Sequence, residues 1–547
     1  MIKFLRGSVI VLAITALTAQ ARDLTTEQKL RDFHLFTSVI ANGYGPLEYK
    51  MANKIVDLST LDGRFESKIA ATTTNRDFYY TMVQYVAAYK DGHFHMQLPT
   101  KETAKIEVVT DLIDGKVLIT KIDREKVKED KFPFAVGDEI VKVDGQPIGE
   151  YLDWASTYIG SGNEHSVRKF AAWSVFSRRY SRMPGPTKKT LTVEVRRGTS
   201  QVIDSAELEW TIEGKSFDES EPLPLPALKP FAASGFGAKA YNYDLLKNDS
   251  FQDFIHPSAD RDFACSGKTR IEKPKDATTI MDEPFVAYYH PTAKGNIGYL
   301  RIPHYYPQAE KGENPTEVAL AWMAQYEFAI RELEKNTVGL IIDQDHNCGG
   351  SVSIVNQTIS MFMDRPFVPS QFELLATKES YLDFKKWEEQ VPKHSLDLEK
   401  IERVLKLIED TWKQGTSFLT PKTSISGEGD IAPAAIHYTK PVVVLIDEVA
   451  GSGGDMFPAM MQGLGRAKLF GQTTSGLGGH VQNYPAALPY SQLQFTLTKS
   501  LFYRPDGVAI ENNGAVPDQT YTITREDVMY GYRQYQKAYL EYLFQQL

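Results

Sequence analysis

Four hydrophobic patterns follow one another along the chain, and each predicts a different kind of element. Near the start, Leu30, Phe33 and Phe36 fall three or four residues apart behind Thr25, Thr26 and Glu27, the spacing of a buried helix face. A second helix is predicted over Asp77 to Lys90, carrying Tyr79, Met82, Val83 and Tyr85, and Asp91-Gly92-His93 follows it. A glycine there is a common stop after the last turn. From about residue 104 the period drops to two: Ile106 to Thr110 alternates, Asp114-Gly115 makes a hairpin turn, and Val117 to Thr120 returns. Leu191 to Val195 reads as a later strand of the same small β-rich unit. Pro222, Pro224, Pro226 and Pro230 then mark an extended stretch.

From Ile297 the pattern changes again. Ile297 to Ile302 predicts a strand, and the nearly all-apolar runs Val338 to Asp343 and Pro441 to Asp447 predict two more that are buried on both faces. Between them, Thr316 to Asn336 places Val318, Trp322, Tyr326, Ile330 and Leu333 on one side of a long helix. Ser353 to Met363 and 454 to 464 predict further helices. Alternating strands and helices predict an α/β core on a largely parallel sheet. Residues 366–430, with a helix over Leu396 to Trp412, read as an insertion, and Thr524 as the cap of a last helix running nearly to Leu547.

Composition narrows the class. A chain of 547 residues exceeds one hydrophobic core, so two to four domains are expected. Hydrophobic and charged shares of 42% and 24% are those of a globular protein. The net charge of -9, with no basic run, argues against a nucleic-acid partner. Lys3 and Arg6, the short apolar run Val9 to Leu17 and the small-x-small site Ala19-Gln20-Ala21 together form a secretory signal peptide. The expectation is cleavage after Ala21, an exported protein, periplasmic or secreted, and no stable membrane insertion afterwards. Two cysteines, Cys265 and Cys348, leave open whether a bridge forms in an oxidising compartment.

Two turns carry candidate chemistry. The apolar run Val442 to Asp447 leads into Ala450-Gly451-Ser452-Gly453-Gly454-Asp455, a glycine-rich turn opening a helix. A serine there is reachable and sits beside backbone N–H groups and a helix N-terminus, which is what acyl transfer needs for a nucleophile and a developing oxyanion. An ordinary N-cap serine has the same local pattern. Leu340 to Asp343 leads into Gln344-Asp345-His346-Asn347-Cys348-Gly349-Gly350, whose amides are candidates for half of an oxyanion hole. No phosphate-loop ending and no His-Glu-x-x-His or Cys-x-x-Cys spacing occurs, so neither nucleotide nor metal is expected.

Gly137-Asp138-Glu139-Ile140-Val141-Lys142-Val143-Asp144-Gly145 resembles the core of a PDZ domain. The two turns, followed by Gly465-Arg466-Ala467, Gly471, Asp506-Gly507, Glu511, Gly514 and Pro517-Asp518, resemble the C-terminal processing (tail-specific) peptidases and the tricorn protease core. The likeness covers roughly residues 80–520 and is weakest over 200–290 and 366–430. It implies a crotonase-like ββα serine peptidase core over 286–547. Ahead of it would come the signal peptide (1–21), a helical segment (22–100), the PDZ-like domain (101–213) and a linker (214–285).

One style in that family uses a Ser–Lys dyad, but Thr474-Ser475-Gly476-Leu477-Gly478-Gly479 has no lysine where the dyad needs one. The other style takes a histidine from the helical region and a glutamate from the closing motif. The resemblance therefore implies Ser452 as nucleophile, His93 as general base and Glu511 as the group that orients and stabilises the imidazolium, directly, through water or with help from Asp91. Gly453 with Gly349 or Gly350 would form the oxyanion hole. His480 and His95 compete with His93 for the base, and Asp455 serves as a helix cap. Gly92 replaces the serine that the family places before the histidine, Asp345 replaces an arginine, and Cys348 puts sulfur beside the glycine pair. The function implied is endopeptidase action on unfolded proteins or peptides without a cofactor. The other readings are a binding protein that kept the fold and lost the activity, and an esterase acting on small molecules, since the same groups cleave esters.

Overall fold

The computed structural model describes residues 23–198, 200, 202–217, 265, 268–307, 313–389, 396–484 and 486–547. The expected signal peptide and the proline-marked stretch lie outside these residues. Among the described residues, no helix is long and apolar enough to cross a membrane.

The N-terminal unit contains helices α1 (Thr26–Gly43), α2 (Leu47–Ala52), α3 (Leu58–Ala70) and α4 (Asn75–Ala87). A Thr25–Gln28 capping box opens α1 by satisfying two orphan amides. Phe33, Phe36 and Ile40 line its buried face. Helix α4 stops earlier than its pattern predicts. The left-handed turn falls on Lys90 (φ 51) and not on Gly92, and the Lys50 ammonium caps the Lys90 carbonyl at 3.2 Å.

The PDZ-like unit is a sheet in the order β3-β4-β5-β8-β9: β3 (Val108–Ile113), β4 (Lys116–Ile122), β5 (Glu139–Val143), β8 (Thr190–Arg196) and β9 (Ile203–Glu209). Helices α5 (Ile148–Ser156) and α6 (Glu164–Trp173) accompany it. Asp114 (φ 49) and Gly115 (φ 71) make the predicted hairpin turn, in which both central residues need positive φ.

The core is a seven-stranded sheet. Its strands are β11 (Thr278–Met281), β12 (Ala287–Thr292), β13 (Gly295–Arg301), β14 (Gly339–Asp343), β16 (Val442–Ile446), β17 (Lys468–Gly471) and β21 (Gln519–Thr520), in that spatial order. β13 through β21 are mutually parallel, and β11 and β12 join antiparallel. β11 lies inside the stretch read as linker, so part of that stretch is an edge strand of the core. Every residue of β14 and β16 is buried, as expected for central parallel strands covered on both faces. Helices α7 (Pro315–Asn336), α8 (Val352–Ser360) and α11 (Gly453–Gly463) pack one face. Over 366–430, β15 (Gln371–Leu374), α9 (Lys378–Glu388) and α10 (Leu396–Gln414) fold onto the core, with β15 paired to β20 (Ser500–Tyr503). The C-terminal helix is two helices. Thr524 caps the short α12 (Arg525–Met529), and Gly531 and Tyr532, both at positive φ, break the chain before α13 (Arg533–Phe544).

One packing joins the first unit to the core. Leu488, Leu493, Phe495 and Leu497 belong to the same apolar cluster as Phe33, Phe36, Tyr85 and Phe94. Asp32 of α1 accepts from the Tyr490 and Ser491 amides at 3.1 and 2.6 Å. The short strand β1 (Met96–Gln97) pairs antiparallel with β19 (Gln494–Thr498). The segment that carries His93 is therefore stitched to the C-terminal part of the chain.

Candidate active site

β14 and β16 are adjacent and parallel, so the turns that leave their carboxyl ends meet. Asn347 joins them. Its carbonyl accepts from Gly451 N–H (3.0 Å), its Oδ1 from Gly349 N–H (2.8 Å), and its Nδ2 donates to the Ile302 carbonyl (2.7 Å). His346, at φ 54, donates its amide to Asp447 at 3.0 Å and turns its ring onto the same carboxylate.

Ser452 lies between β16 and α11 at φ 58, ψ -113, a conformation that costs a non-glycine residue energy and is kept only where surroundings impose it. The imposing contact is Asp455. Its Oδ2 accepts from the Ser452 amide (2.7 Å) and the Leu477 amide (2.9 Å), and its Oδ1 accepts from the Gly476 amide (2.8 Å) and the Thr474 hydroxyl. Asp455 thus pins the 474–477 loop to the serine turn, a larger part than the helix cap expected of it. Burial pushes its carboxyl up to about 6 against these four donors. Ser452 itself is half-buried.

Gly349 and Gly350 sit directly against this turn. A Cβ on Gly349 (φ 74) would fall 2.6 Å from Ser452 Cβ, and one on Gly453 would fall 3.1 Å from the Gly350 nitrogen. The Gly349 amide is engaged by Asn347, which narrows the expected pair of oxyanion donors to Gly453 and Gly350. Gly349→Ala is expected to displace Ser452 and lower kcat by at least about 10²-fold, since small misplacements at a reacting centre cost that much. Turnover within tenfold of wild type would refute the packing argument.

His93 is buried, with its amide on Asp91 Oδ1 (2.8 Å) and its carbonyl accepting from the Thr496 hydroxyl (2.6 Å). Burial lowers its pKa below the ordinary imidazole value, and the Asp91 charge opposes the drop. Asp91 Oδ2 accepts from the Tyr44 and Thr498 hydroxyls at 2.8 and 2.7 Å. Glu511 is fully buried, and both its oxygens are held: Oε1 by the Lys50 ammonium, Oε2 by the Gly478 amide at 2.9 Å. Burial and the nearby Asp91 charge push its carboxyl up to about 8, with Lys50 and Gly478 pulling the other way. The 474–479 loop therefore connects the two halves, through Asp455 on the Ser452 side and Glu511 on the other. The Glu511 carboxylate is bonded to Lys50 and Gly478, and Asp91, its expected helper, accepts from the His93 amide.

The sequence reading missed Lys50, whose Nζ also donates to Asn512 Oδ1 at 2.8 Å. Its α2 pattern carries no signal, because the partners lie more than 400 residues away. Of the competing histidines, His480 hydrogen-bonds Ser500 Oγ at 2.9 Å, and burial lowers it to about 4. His95 lines a cavity beside His93. Cys348 carries no free thiol, since it is bonded to Cys265. The Asp345 that replaces an arginine is met by Arg270, whose guanidinium lies 3.4 Å from Asp345 and 3.2 Å from Asp447.

Residues 296–521 match the model of peptidase family S41, and residues 102–221 match a PDZ domain. An uncharacterised protein of Chlamydia muridarum is 25% identical over 94% of this chain and 92% of its own. A protein of Chlamydia pneumoniae is 26% identical over 93% and 88%. The fold is similar to the crystal structure of mature CPAF, with a TM-score of 0.76 at 21% identity over 95% of this chain and 96% of that one. It is equally similar to mature CPAF complexed with lactacystin, with a TM-score of 0.74 at 22% identity over 95% and 97%.

Proposed function

We propose that this chain, which belongs to peptidase family S41 and carries a PDZ domain ahead of its peptidase core, is an exported endopeptidase cutting unfolded polypeptides through an acyl-enzyme on Ser452. The observation that supports this most is the Ser452 turn. A serine is held at positive φ in a half-buried position, Gly349 packs directly on its Cβ, and the Gly350 nitrogen lies close to Gly453. Strain of this kind collects where a nucleophile is presented.

The chemistry follows from the groups. Neutral His93 takes the Ser452 proton as Oγ attacks the peptide carbonyl, and the Gly453 and Gly350 N–H groups bind the developing oxyanion. The imidazolium returns its proton to the leaving amine. Water then repeats the sequence on the acyl-enzyme and frees the carboxyl product. A buried imidazole with a lowered pKa stays in the base form at neutral pH. Asp91, and Glu511 in its ionised form, stabilise the cation that forms in the transition state. The PDZ domain would hold the substrate's free C-terminus by strand addition.

A fluorophosphonate serine probe tests this on the mature protein. Labelling should map to Ser452 and be lost in His93→Ala as well as in Ser452→Ala. Absence of labelling on folded wild-type protein would reverse the reading in favour of a binding protein. Export is tested by N-terminal sequencing of the purified chain, expected to begin at Arg22.

A further inference from the structure

We infer that Arg270 and the Cys265–Cys348 bridge form a clasp that holds the turn 345–350 in its catalytic shape, so that the reaction runs at full rate only while the bridge is oxidised. This rests on the peptidase reading above and names a regulation of that site.

The turn needs holding. His346 (φ 54) sits in the left-handed region, which costs a residue with a side chain energy. Asp345 is 2% exposed, and Asp343 and Asp447 are buried as well. A buried carboxylate is unfavourable without a cation, and neighbouring carboxylates make it more so. The turn also has no slack, because a Cβ on Gly349 would fall 2.6 Å from Ser452 Cβ, so a shift there is felt at the nucleophile. Both needs are met from elsewhere in the chain. The Arg270 guanidinium lies 3.4 Å from Asp345 and 3.2 Å from Asp447, and so ties the turn after β14 to the turn after β16. Five residues earlier, Cys265 is bonded to Cys348, the residue next to Gly349, and the Cys265 amide donates to the His346 carbonyl at 3.4 Å. On the other side of Arg270, Ile271 is buried in the apolar cluster of Tyr535 and Tyr539. Arg270 is thus anchored through Ile271 on one side and through sulfur on the other.

The bridge can be opened from one side. Cys348 is buried in an apolar cluster with Phe170, Trp173 and Val449, whereas Cys265 is half-buried, so Cys265 carries the sulfur that a reductant meets. A thiolate of a small dithiol attacks Cys265 Sγ, the S–S bond breaks, and Cys348 leaves and takes a proton. The second thiol of the reductant then displaces Cys265 and closes the reductant's own disulfide. Two electrons and two protons pass to the protein, which ends with two cysteine thiols. The turn keeps the Asn347 hydrogen bonds but loses its covalent tie to Cys265. A small displacement of Gly349 and Gly350 is then enough to spoil the alignment of oxyanion donors and nucleophile. A chain kept reduced is therefore a folded but weak peptidase.

The test compares the mature protein before and after dithiothreitol, with the freed thiols counted by alkylation. On reduction, kcat for a quenched fluorescent peptide should fall by about 10- to 100-fold while KM stays within about threefold, and reoxidation should restore the rate. The thermal melt should stay cooperative. Amides of 344–351 should exchange with deuterium faster, with those of β14 and β16 unchanged. The double variant Cys265→Ala, Cys348→Ala should match the reduced protein and ignore the dithiol. If it does not fold, reduction of the wild type decides. Equal kcat for the reduced and oxidised forms, a double variant as active as the oxidised protein, or unchanged exchange over the turn overturns the clasp. So does loss of the melt on reduction, which makes the bridge a plain staple. Failure of the oxidised protein to cleave any peptide, with Ser452 unlabelled by the serine probe, overturns the peptidase reading instead. The clasp is then judged by exchange over the turn alone, and equal rates overturn it.

Discussion

Ser452→Ala lowers kcat for peptide hydrolysis by about 10⁴- to 10⁶-fold and leaves the fold in place. The magnitude is that of removing a nucleophile whose partners cannot act without it. The fold survives because the contact imposing the turn is the Ser452 amide on Asp455 Oδ2, a backbone donor that alanine keeps. The hydroxyl belongs to a half-buried side chain at a position where alanine is no more strained at φ 58 than serine. The unfolding midpoint should correspond to a change within about 1 kcal/mol, the range for substitutions outside the core. Residual turnover above one part in about a thousand, on protein freed of contaminating proteases, would show that another group attacks the carbonyl.

Lys50→Met should lower kcat/KM at pH 7 by about tenfold and move the acid limb of the pH profile to higher pH by about one unit. Glu511 shares its buried surroundings with Asp91, Tyr44 and the Tyr49 hydroxyl, and Lys50 is the cation bonded to it. The carboxyl held at about 8 is ionised in only about a tenth of molecules at pH 7, and without that ammonium it rises further, so the ionised fraction that stabilises the imidazolium falls roughly tenfold more. KM should change little, because Lys50 is buried away from substrate. Lys50→Arg should restore the limb in part. A uniform loss at every pH, with the limb unmoved, would reduce Lys50 to a structural pair. Stability supplies a second readout. A carboxyl whose folded pKa is raised costs stability increasingly as pH rises from its ordinary value of about 4.3 toward the folded value. Wild type and Lys50→Met lose this stability alike up to about 8, where the wild-type carboxyl ionises, so Lys50→Met should fall further behind wild type at about pH 9 than at about pH 6.

The elements that could be read in advance are those whose cause is local. The unbroken apolar runs of β14 and β16 allow no exposed face, and Asp114-Gly115 can close a hairpin whatever surrounds it. The serine turn was legible for the same reason: buried strand, glycines and helix follow one another within fifteen residues. What escaped has its cause at long range. Lys50 looks like a surface lysine until Glu511 arrives beside it. Asp345 reads as a lost arginine, yet Arg270 restores the cation from another part of the chain. Nor does any local pattern show that Leu493, Phe495 and Leu497 complete the apolar cluster of the first helices, since a buried strand has that composition in many settings. The early stop of α4 has the same origin: Lys90 ends the helix because Lys50 caps its carbonyl.

The stitching of β1 to β19 has a consequence in time. The groups of the site come from positions 93, 452 and 511, so no partial chain holds them together. A ribosome adding about 5–20 residues per second needs roughly 20–90 s after residue 93 to reach the last of them. Through that interval the growing chain has the proposed base without its nucleophile, and then both without Glu511. Proteolytic power is thus withheld by chain order alone until synthesis is nearly finished and the two ends have found each other.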